Sequence, residues 1–513
     1  MSAVVSTHYG KVEGEELSGL SVFKGIPFAT PPVGARRWLA PEKPAPWSGT
    51  RDARRFGAVC PQTPMFITAL SAMVIDDPQS EDCLYLNVWT PAADNKRRPV
   101  MVWIHGGAFT IGAGSQPLYD GSTLARRGDV VVVCINYRLG PLGFLRLAEV
   151  TNGAIPSTGS EGILDQIAAL EWVRDNIEGF GGDPSNVTIF GESAGGMSVG
   201  ALLAAPAARG LFHKAIPQSG ACHTGAARER ANRNAERVMK KLGAATPDAM
   251  RALTPAQLLT ASFLADGKTP DPEFGGMAYQ PVIDGTVIPR IPFDLVTGGA
   301  SSEVAVMVGS TLDEWKLFAP MDPGIRTLDR AGLAARYSRR MAPEAVDKLV
   351  GDYEKARSAR GALTTAPEIY NALETDRIFR IPAIRLAELH AHRRGRIFNY
   401  LFTWPSPAAK GILGSCHALE LGFVFGTNKL PGMPQFAGSG PIVERLEKEI
   451  QDGWLAFARS GDPSCESLGA WPQYDALRRA TMILGEKSGA TDAPYDAERR
   501  AWEGVATGIL GSL

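Results

Sequence analysis

The residues with the clearest capacity for chemistry lie in the pentapeptide GESAG at residues 191–195. A short apolar run, residues 187–190, precedes it, and a helical pattern follows it. A serine on a sharp turn between a buried strand and a helix presents its hydroxyl at the edge of a sheet, above the positive end of the helix. Gly191 and Gly195 would let neighbouring backbone pass close by. A glycine-rich turn with an incidental serine is the alternative, but the flanking strand and helix favour Ser193 as a nucleophile.

A serine nucleophile needs a base, because its hydroxyl is weakly reactive at neutral pH. The chain has seven histidines, and two of them, His223 and His417, remain as candidates. His417 lies in a Gly/Ser-rich loop after the last predicted strand of the sheet, whereas His223 precedes every candidate acid. The order serine, acid, histidine along the chain is typical of this kind of sheet and favours His417. We expect His390 and His392 to be solvated at the end of an amphipathic helix.

The acid that orients the histidine should follow the predicted strand at residues 304–308. Asp313 and Glu314 stand there side by side. Either carboxylate could hold the imidazole in its tautomer and stabilise the imidazolium. Residue types and spacing do not decide between these two neighbours.

Donors for a developing oxyanion are predicted at the end of another apolar run, residues 100–104. Gly106 and Gly107 follow it directly, and glycines let backbone N–H groups turn toward a substrate oxygen. With the N–H of Ala194, next to the nucleophile, they would provide three donors. A lone Gly-Gly is typical of a turn, but its position after a buried strand and before GESAG favours an oxyanion hole.

The elements that must position these residues are predicted from the apolar runs. Residues 100–104, 130–135 and 187–190 are apolar on both faces, which is typical of strands buried on both sides of a mostly parallel sheet. Residues 162–178, between the last two runs, have an approximate helical period. This strand–helix–strand order favours an α/β fold with helices on both faces of the sheet.

The second half of the chain continues the same sheet in this interpretation. Residues 304–308 and 397–402 predict two more strands, and residues 323–392 read mostly as helix. Residues 443–458 predict a long amphipathic helix. Because helical insertions between late strands account for the length, we expect residues 1–513 to form a single domain.

Composition limits the classes of partner. Of the 513 residues, 44% are apolar and 21% are charged, which is ordinary for a soluble globular protein. The net charge of −1 argues against nucleic acid or an acidic membrane as the main partner. No signal peptide is present as written, and no apolar tract reaches the roughly 20 residues of a membrane span, so we expect a cytoplasmic protein. The six cysteines form no metal-binding pattern, and the chemistry above requires no metal or cofactor.

Two longer motifs carry a family resemblance. With SEDCLYLNV at residues 80–88 and FGESAGG at residues 190–196, the chain resembles the type-B carboxylesterases, the cholinesterase-like branch of the α/β-hydrolases. The resemblance extends from residue 8 to about residue 463, and the pattern is most similar to bacterial p-nitrobenzyl-esterase-like carboxylesterases. It implies the α/β-hydrolase fold, with a mostly parallel central sheet, helices on both faces and helical insertions over the active site.

The resemblance also implies roles for individual residues. It implies a triad of Ser193, Glu314 and His417, since the acid of the family is the glutamate of an Asp-Glu pair. The oxyanion donors it implies are Gly106, Gly107 and Ala194. Ser219 matches a family serine near the glutamate–histidine pair. Two buried ion pairs of the family match Arg37–Glu81 and Arg138–Asp183.

Cys60 and Cys83 match the first disulfide of the family, although a reducing cytosol would keep both thiols free. In cholinesterases this loop carries a tryptophan that binds the quaternary ammonium group. Here the only aromatic residue of the loop is Phe66, so a choline-ester specialist is disfavoured.

The resulting hypothesis is a carboxylesterase that hydrolyses esters of small to medium size through an acyl-enzyme, as a monomer or homodimer with a small-molecule ester as its partner. The pocket is predicted to be lined by Phe66, Phe109, Ser219, Met277 and Phe318. A catalytically silent binding protein on the same fold is the rival from another class, and the filled triad positions argue against it. Amide or carbamate cleavage uses the same machinery and stays open, while the lack of a long apolar lid disfavours a lipase.

Overall fold

The computed structural model describes residues 2–63, 71–261 and 277–510. Over these ranges one sheet of 13 strands organises the chain. The strands are β1 (Ser2–Thr7), β2 (Gly10–Leu17), β3 (Leu20–Pro27), β4 (Thr50–Asp52), β5 (Tyr85–Thr90), β6 (Arg98–Ile104), β7 (Val131–Ile135), β8 (Gly182–Glu192), β9 (Lys214–Gln218), β10 (Ala305–Thr311), β11 (Ile397–Phe402), β12 (Ala480–Leu484) and β13 (Gly489–Asp492).

The middle of the sheet is parallel and its margins are antiparallel. In spatial order the strands are β1-β2-β3-β5-β7-β6-β8-β9-β10-β11-β12-β13, with β4 paired to β2. The strands from β7 to β12 in this order run parallel to one another. Ile104 pairs with Gly191, and Glu192 pairs with Gln218, so the carboxyl ends of β6, β8 and β9 lie at one level. Loops that follow these strands therefore meet at one edge of the sheet.

Helices cover both faces of this sheet. They are α1 (Ser122–Gly128), α2 (Gly140–Gly143), α3 (Glu161–Asn176), α4 (Ala194–Ala204), α5 (Arg228–Lys241), α6 (Pro247–Ala252), α7 (Pro255–Thr260), α8 (Pro292–Thr297), α9 (Arg330–Tyr337), α10 (Pro343–Ala359), α11 (Ala366–Thr375), α12 (Ile381–His392), α13 (Leu421–Phe425), α14 (Met433–Ala437), α15 (Pro441–Ser460) and α16 (Asp496–Ala501). A π-helical segment, Asp376–Arg380, joins α11 to α12. No helix in the described ranges combines the length and apolarity that crossing a membrane requires.

Alternate residues of the central strands belong to two separate cores. On β6, Val100 and Val102 pack into one core with α3 and α4, whereas Met101 and Trp103 pack into the other with α1 and α15. This division follows from the two-residue period of a strand, which sends successive side chains to opposite faces. Strands with two apolar faces thus require helices on both sides.

The predicted strands and helices of the sheet are confirmed. The five predicted strands fall on β6, β7, β8, β10 and β11. The predicted helices fall on α3, α4 and α15, and the mostly helical stretch at residues 323–392 contains α9 to α12. Strand β8 begins at Gly182, well before the apolar run at residues 187–190. Its first residues are polar and partly exposed, so their hydropathy gave no signal for a strand.

Candidate active site

Ser193 occupies the single-residue turn between β8 and α4. Its backbone has φ 57° and ψ −124°, a conformation that L-residues rarely adopt. A Cβ on Gly191 would lie 2.6 Å from the carbonyl oxygen of Ile104, and one on Gly195 would lie 2.0 Å from the same oxygen. Backbone therefore fills the space on both sides of the turn, and only glycine fits at these two positions. The N–H of Ser193 donates to the carbonyl oxygen of Gln218 over 3.0 Å, which ties the turn to the end of β9.

The loop after β6 lies directly against this turn. A Cβ on Gly106 would lie 3.1 Å from Cβ of Ser193, and Gly107 has a φ of +110° that favours glycine. Hydrogen bonds of the described residues leave the N–H groups of Gly106 and Gly107 without a protein acceptor. The N–H of Ala194 has no intrahelical acceptor either, because Ala194 is the first residue of α4. Three free donors thus lie around Ser193, where an oxyanion hole was predicted.

His105 stiffens the same loop from within the core. Its ring stacks on Tyr137 with a centroid distance of 4.5 Å, and its Nδ1 lies 2.9 Å from the carbonyl oxygen of Gly106. Burial lowers the pKa of His105 to about 4, so the ring is neutral at pH 7. A neutral buried ring that bonds its own loop is a structural element, not a base.

Glu314 follows β10 and is fully buried. Its Oε2 lies 2.5 Å from Nδ1 of His417. Its Oε1 accepts from the Ser219 hydroxyl over 2.6 Å and from the N–H of Thr311 over 2.7 Å. Both oxygens are therefore used, and the carboxylate is held in one orientation toward the imidazole.

Asp313, the neighbouring carboxylate, points elsewhere. It accepts from the N–H of Ser415 over 3.0 Å and forms an ion pair of 3.3 Å with Lys316. Its own N–H donates to the carbonyl oxygen of Ser415 over 2.8 Å. Asp313 thus anchors the loop that carries His417, while Glu314 bonds the ring, and the two neighbours that spacing could not separate have different contacts.

His417 is buried between two carboxylates. Nδ1 faces Glu314, and Nε2 lies 3.0 Å from Oε1 of Glu192. Among the hydrogen bonds of the described residues, none joins Nε2 to the hydroxyl of Ser193. Catalytic hydrogen bonds are often long in a free enzyme and form when substrate binds.

The charges around His417 govern its protonation. Burial alone would lower its pKa, but the carboxylates of Glu192 and Glu314 outweigh burial and raise the pKa well above the usual range. Burial raises the pKa of Glu192 in turn, with His417 opposing that shift. A proton is therefore strongly held in this cluster, and the two carboxylates stabilise an imidazolium when one forms.

Glu192 and Glu420 are site residues that the sequence analysis did not identify. Glu420 accepts from the side-chain amide of Gln218 over 3.2 Å. Burial, followed by the charges of Glu192 and Glu314, raises the pKa of Glu420 to about 8. Glu192 stands inside GESAG, and Glu420 lies three residues after His417, so position relative to the motifs was the only available signal.

Two aromatic rings cover the imidazole. The ring of Phe318 has its centroid 5.0 Å from that of His417, and the ring of Phe379 has its centroid 4.8 Å away. The two phenylalanines stack on each other at 6.3 Å. Phe379, which the sequence analysis missed, lies in the π-helical segment, and such segments are frequent at functional sites.

The predicted pocket residues have different surroundings. Phe318 lies beside His417, and Met277 is buried. Phe109 is buried with its ring 5.0 Å from that of Phe144, and the Ser219 hydroxyl donates to Glu314. Phe66 lies outside the described residues. The role of these side chains in binding substrate stays a prediction.

Two structural expectations were wrong. His390 was expected to be solvated, but its ring is buried and its Nε2 lies 2.9 Å from the carbonyl oxygen of Val304, because the last turn of α12 faces β10. Arg138 does not pair with Asp183. It forms a buried ion pair with Asp165 on α3, with 2.7 Å between Nη2 and Oδ1.

Asp183 instead pairs with the half-exposed Arg97 at the surface, since β8 begins there at the edge of the molecule. The predicted ion pair of Arg37 and Glu81 is confirmed, with 2.5 Å between Nη2 and Oε1.

Cys60 and Cys83 are both buried and both unbridged. A hydrogen bond with Cys60, together with burial, raises the pKa of the Cys83 thiol. The disulfide between them stays a prediction. In the described ranges no group of three or more histidine, cysteine or acidic side chains has the arrangement of a metal site.

Comparisons with known proteins identify the family of this chain. The sequence model of the carboxylesterase family matches residues 1–502. The chain is 40% identical to the para-nitrobenzyl esterase of Bacillus subtilis (strain 168), over 97% of this chain and 98% of that protein. It is 34% identical to the phenmedipham hydrolase of Pseudarthrobacter oxydans, over 94% of this chain and 95% of that protein.

Solved structures give the same result. A crystal structure of a Geobacillus stearothermophilus carboxylesterase at pH 6.2 is similar with a TM-score of 0.87 and 41% identity, covering 97% of this chain and 99% of that one. A thermophilic PNB esterase is similar with a TM-score of 0.85 and 38% identity, covering 98% of this chain and 100% of that one. The chain therefore belongs to the carboxylesterase family, has the α/β-hydrolase fold, and is a serine ester hydrolase.

Proposed function

We propose that Ser193, Glu314 and His417 hydrolyse carboxylic esters of small to medium size through an acyl-enzyme. The observation that carries the proposal is the contact of 2.5 Å between Glu314 and His417, at the sheet edge where Ser193 occupies a strained turn. A buried carboxylate on one ring nitrogen fixes the tautomer and leaves the other nitrogen to act as a base.

Acylation begins from the state in which His417 is neutral, when its Nε2 takes the proton of the Ser193 hydroxyl. The serine oxygen attacks the ester carbonyl, and the carbonyl electron pair moves onto oxygen. The free N–H groups of Gly106, Gly107 and Ala194 stabilise that oxyanion. When the tetrahedral intermediate collapses, the bond to the alcohol breaks and His417 gives its proton to the leaving oxygen.

Deacylation repeats these steps with water. His417 removes a proton from water, the hydroxide attacks the acyl carbon, and the bond to Ser193 breaks as the serine oxygen regains a proton. The contact of Nε2 with Glu192 must loosen for Nε2 to reach the serine hydroxyl. Because Glu192 and Ser193 are adjacent, this exchange needs rotation of side chains and no movement of the sheet.

A fluorophosphonate probe tests the nucleophile. The wild-type protein should be labelled at Ser193, and Ser193→Ala should lose both the label and the hydrolysis of p-nitrophenyl acetate. Ser198→Ala is the matched control. Ser198 is a buried serine of α4 that lies less than two helical turns after Ser193, so this variant should still be labelled. A folded wild-type protein that is neither labelled nor active would overturn the proposal.

The substrate range is proposed from the relatives. Since one of them is a para-nitrobenzyl esterase, we propose that p-nitrobenzyl esters are substrates of this protein. A series of p-nitrophenyl esters with lengthening acyl chains would define the size limit, and matched p-nitroanilides would test amide cleavage. We also propose a single domain over residues 1–513, a cytoplasmic location and a monomeric or homodimeric state. Sedimentation analysis would determine the state of assembly.

A further inference from the structure

Two consecutive side chains near the site hold buried polar atoms without a partner. Both ring nitrogens of His223 and the hydroxyl of Thr224 are shielded from solvent and form no hydrogen bond with the described residues. Nearly all buried polar groups in proteins are hydrogen-bonded, and an unpaired one costs about 1–3 kcal/mol. A histidine with neither nitrogen satisfied therefore calls for a partner that the folded chain itself does not supply.

The segment that carries His223 is continuous with the catalytic site. It begins at Ser219, whose hydroxyl bonds Glu314. A Cβ on Gly220 would lie 2.5 Å from the N atom of Met197, so the segment packs against the first turns of α4, the helix that begins after Ser193. Four residues span at most about 14 Å, so His223 lies within that distance of Ser219.

Two elements lie near the imidazole of His223. The ring of Phe293, on α8, has its centroid 6.5 Å from that of His223. Arg377 contributes positive charge from the π-helical segment. Phe379 of that segment contacts the ring of His417, so one short segment connects the surroundings of His223 with the base.

The ring of His223 is neutral over the working range of an esterase. Burial, with a smaller contribution from Arg377, lowers its pKa to about 3. A neutral imidazole offers one N–H donor and one nitrogen acceptor. It is not the base of the triad, because the carboxylate of Glu314 bonds His417.

We propose that His223 determines specificity by hydrogen-bonding a hydroxyl or ketone oxygen of the ester substrate, remote from the scissile carbonyl. The inference rests on the proposed esterase function and names the class of ester that the site prefers. A site that holds an unpaired polar group disfavours a purely apolar substrate, since the group then stays unpaired in the complex. An ester with a matching oxygen satisfies His223 and is selected.

Two matched pairs of esters test the proposal. In the first pair the acyl groups differ, p-nitrophenyl 4-oxopentanoate against p-nitrophenyl pentanoate. In the second the alcohols differ, 5-hydroxypentyl acetate against pentyl acetate, followed by acid release. The measured quantity is the ratio of kcat/KM for the oxygen-bearing ester to that for the plain ester.

His223→Leu should lower that ratio about tenfold in at least one pair, the effect of one neutral hydrogen bond in a buried site. Turnover of the plain ester should stay the same or rise, because an unpaired polar group has been removed. His223→Gln keeps a donor and an acceptor and should restore part of the ratio. His392→Leu, at an exposed position of α12, is the control and should leave both ratios unchanged.

The outcomes separate the inference from the function on which it rests. A changed ratio in either pair supports the inference and assigns His223 to the acyl or the alcohol side. Unchanged ratios in both pairs, with the variant folded and active on plain esters, overturn it and leave the esterase function intact. A wild-type protein that hydrolyses none of the four esters contradicts the proposed function itself.

Discussion

Gly195→Ala tests whether the close approach of β6 and α4 sets the geometry of the site. The new Cβ would lie 2.0 Å from the carbonyl oxygen of Ile104 and 2.9 Å from that of His105. Side-chain carbons do not approach backbone oxygens closer than about 3 Å, so the strand end and the helix start must separate by about 1 Å. This movement shifts the proposed oxyanion donors away from Ser193, because Gly106 follows the displaced residues directly.

The expected result is a large loss of activity with a modest loss of stability. A misplacement of about 1 Å can lower a rate about 100-fold, and overpacking costs about 1–3 kcal/mol. We therefore expect kcat/KM for p-nitrophenyl acetate to fall about 100-fold while the variant still unfolds cooperatively. Initial rates and thermal unfolding, followed by circular dichroism, would measure both effects.

Gly351→Ala is the matched control for this substitution. Gly351 lies within α10, and a Cβ there would meet no atom within 4 Å. Alanine in a helix is favoured over glycine by about 0.5–1 kcal/mol, so this variant should be equally active and slightly more stable. Unchanged kcat/KM in Gly195→Ala would refute the reasoning, since the backbone contact would then not position the donors.

Three further substitutions test other contacts. Ser219→Ala removes the hydroxyl that donates to Glu314 over 2.6 Å, and because such a bond to a carboxylate contributes about 1.5–3 kcal/mol, kcat in steady-state assays should fall about tenfold or more. Glu192→Gln removes one of the two carboxylates that raise the pKa of His417. The imidazole then stays neutral to lower pH, and the acid limb of the pH profile of kcat/KM should move to lower pH. Arg138→Met leaves a buried aspartate unpaired and should lower the free energy of unfolding by about 3–5 kcal/mol in urea denaturation.

Each of these three predictions would be contradicted by a specific result. For the arginine, Arg97→Met is the control, because Arg97 is half exposed and its ion pairs at the surface should contribute about 0–1 kcal/mol. Equal losses for the two arginines would contradict the buried pairing of Arg138. An acid limb that stays in place in Glu192→Gln would mean that this carboxylate does not act on His417. A full kcat in Ser219→Ala would mean that the backbone N–H of Thr311 holds Glu314 adequately without the hydroxyl.

Local features of the sequence were sufficient for the parts of the site that depend on neighbouring residues. The turn at Ser193 is encoded by the glycines around it, since only glycine fits beside the passing strand. The central strands were predictable because residues buried on both faces leave continuous apolar runs. The choice of Glu314 over Asp313 came from the family resemblance, and the contacts of both side chains agree with that choice.

Contacts between distant segments were decided only by the tertiary structure. Glu314 and His417 are 103 residues apart, and their hydrogen bond depends on the parallel pairing of β10 with β11. The pairing of Arg138 with Asp165 depends on which face of α3 turns inward, and no spacing along the chain fixes that rotation.

The charged and polar groups near His417 also depend on contacts between distant segments. The surroundings of Glu192, Glu420 and His223 left no local signal, because their burial and the charges near them come from residues that folding brings together from separate strands and helices. The sequence by itself predicted Ser193 as the nucleophile, the order of the candidate triad and the type of sheet. The tertiary structure decided how the carboxylates surround His417 and which buried polar groups have no partner among the described residues. Both depend on distances between segments that are far apart in the sequence.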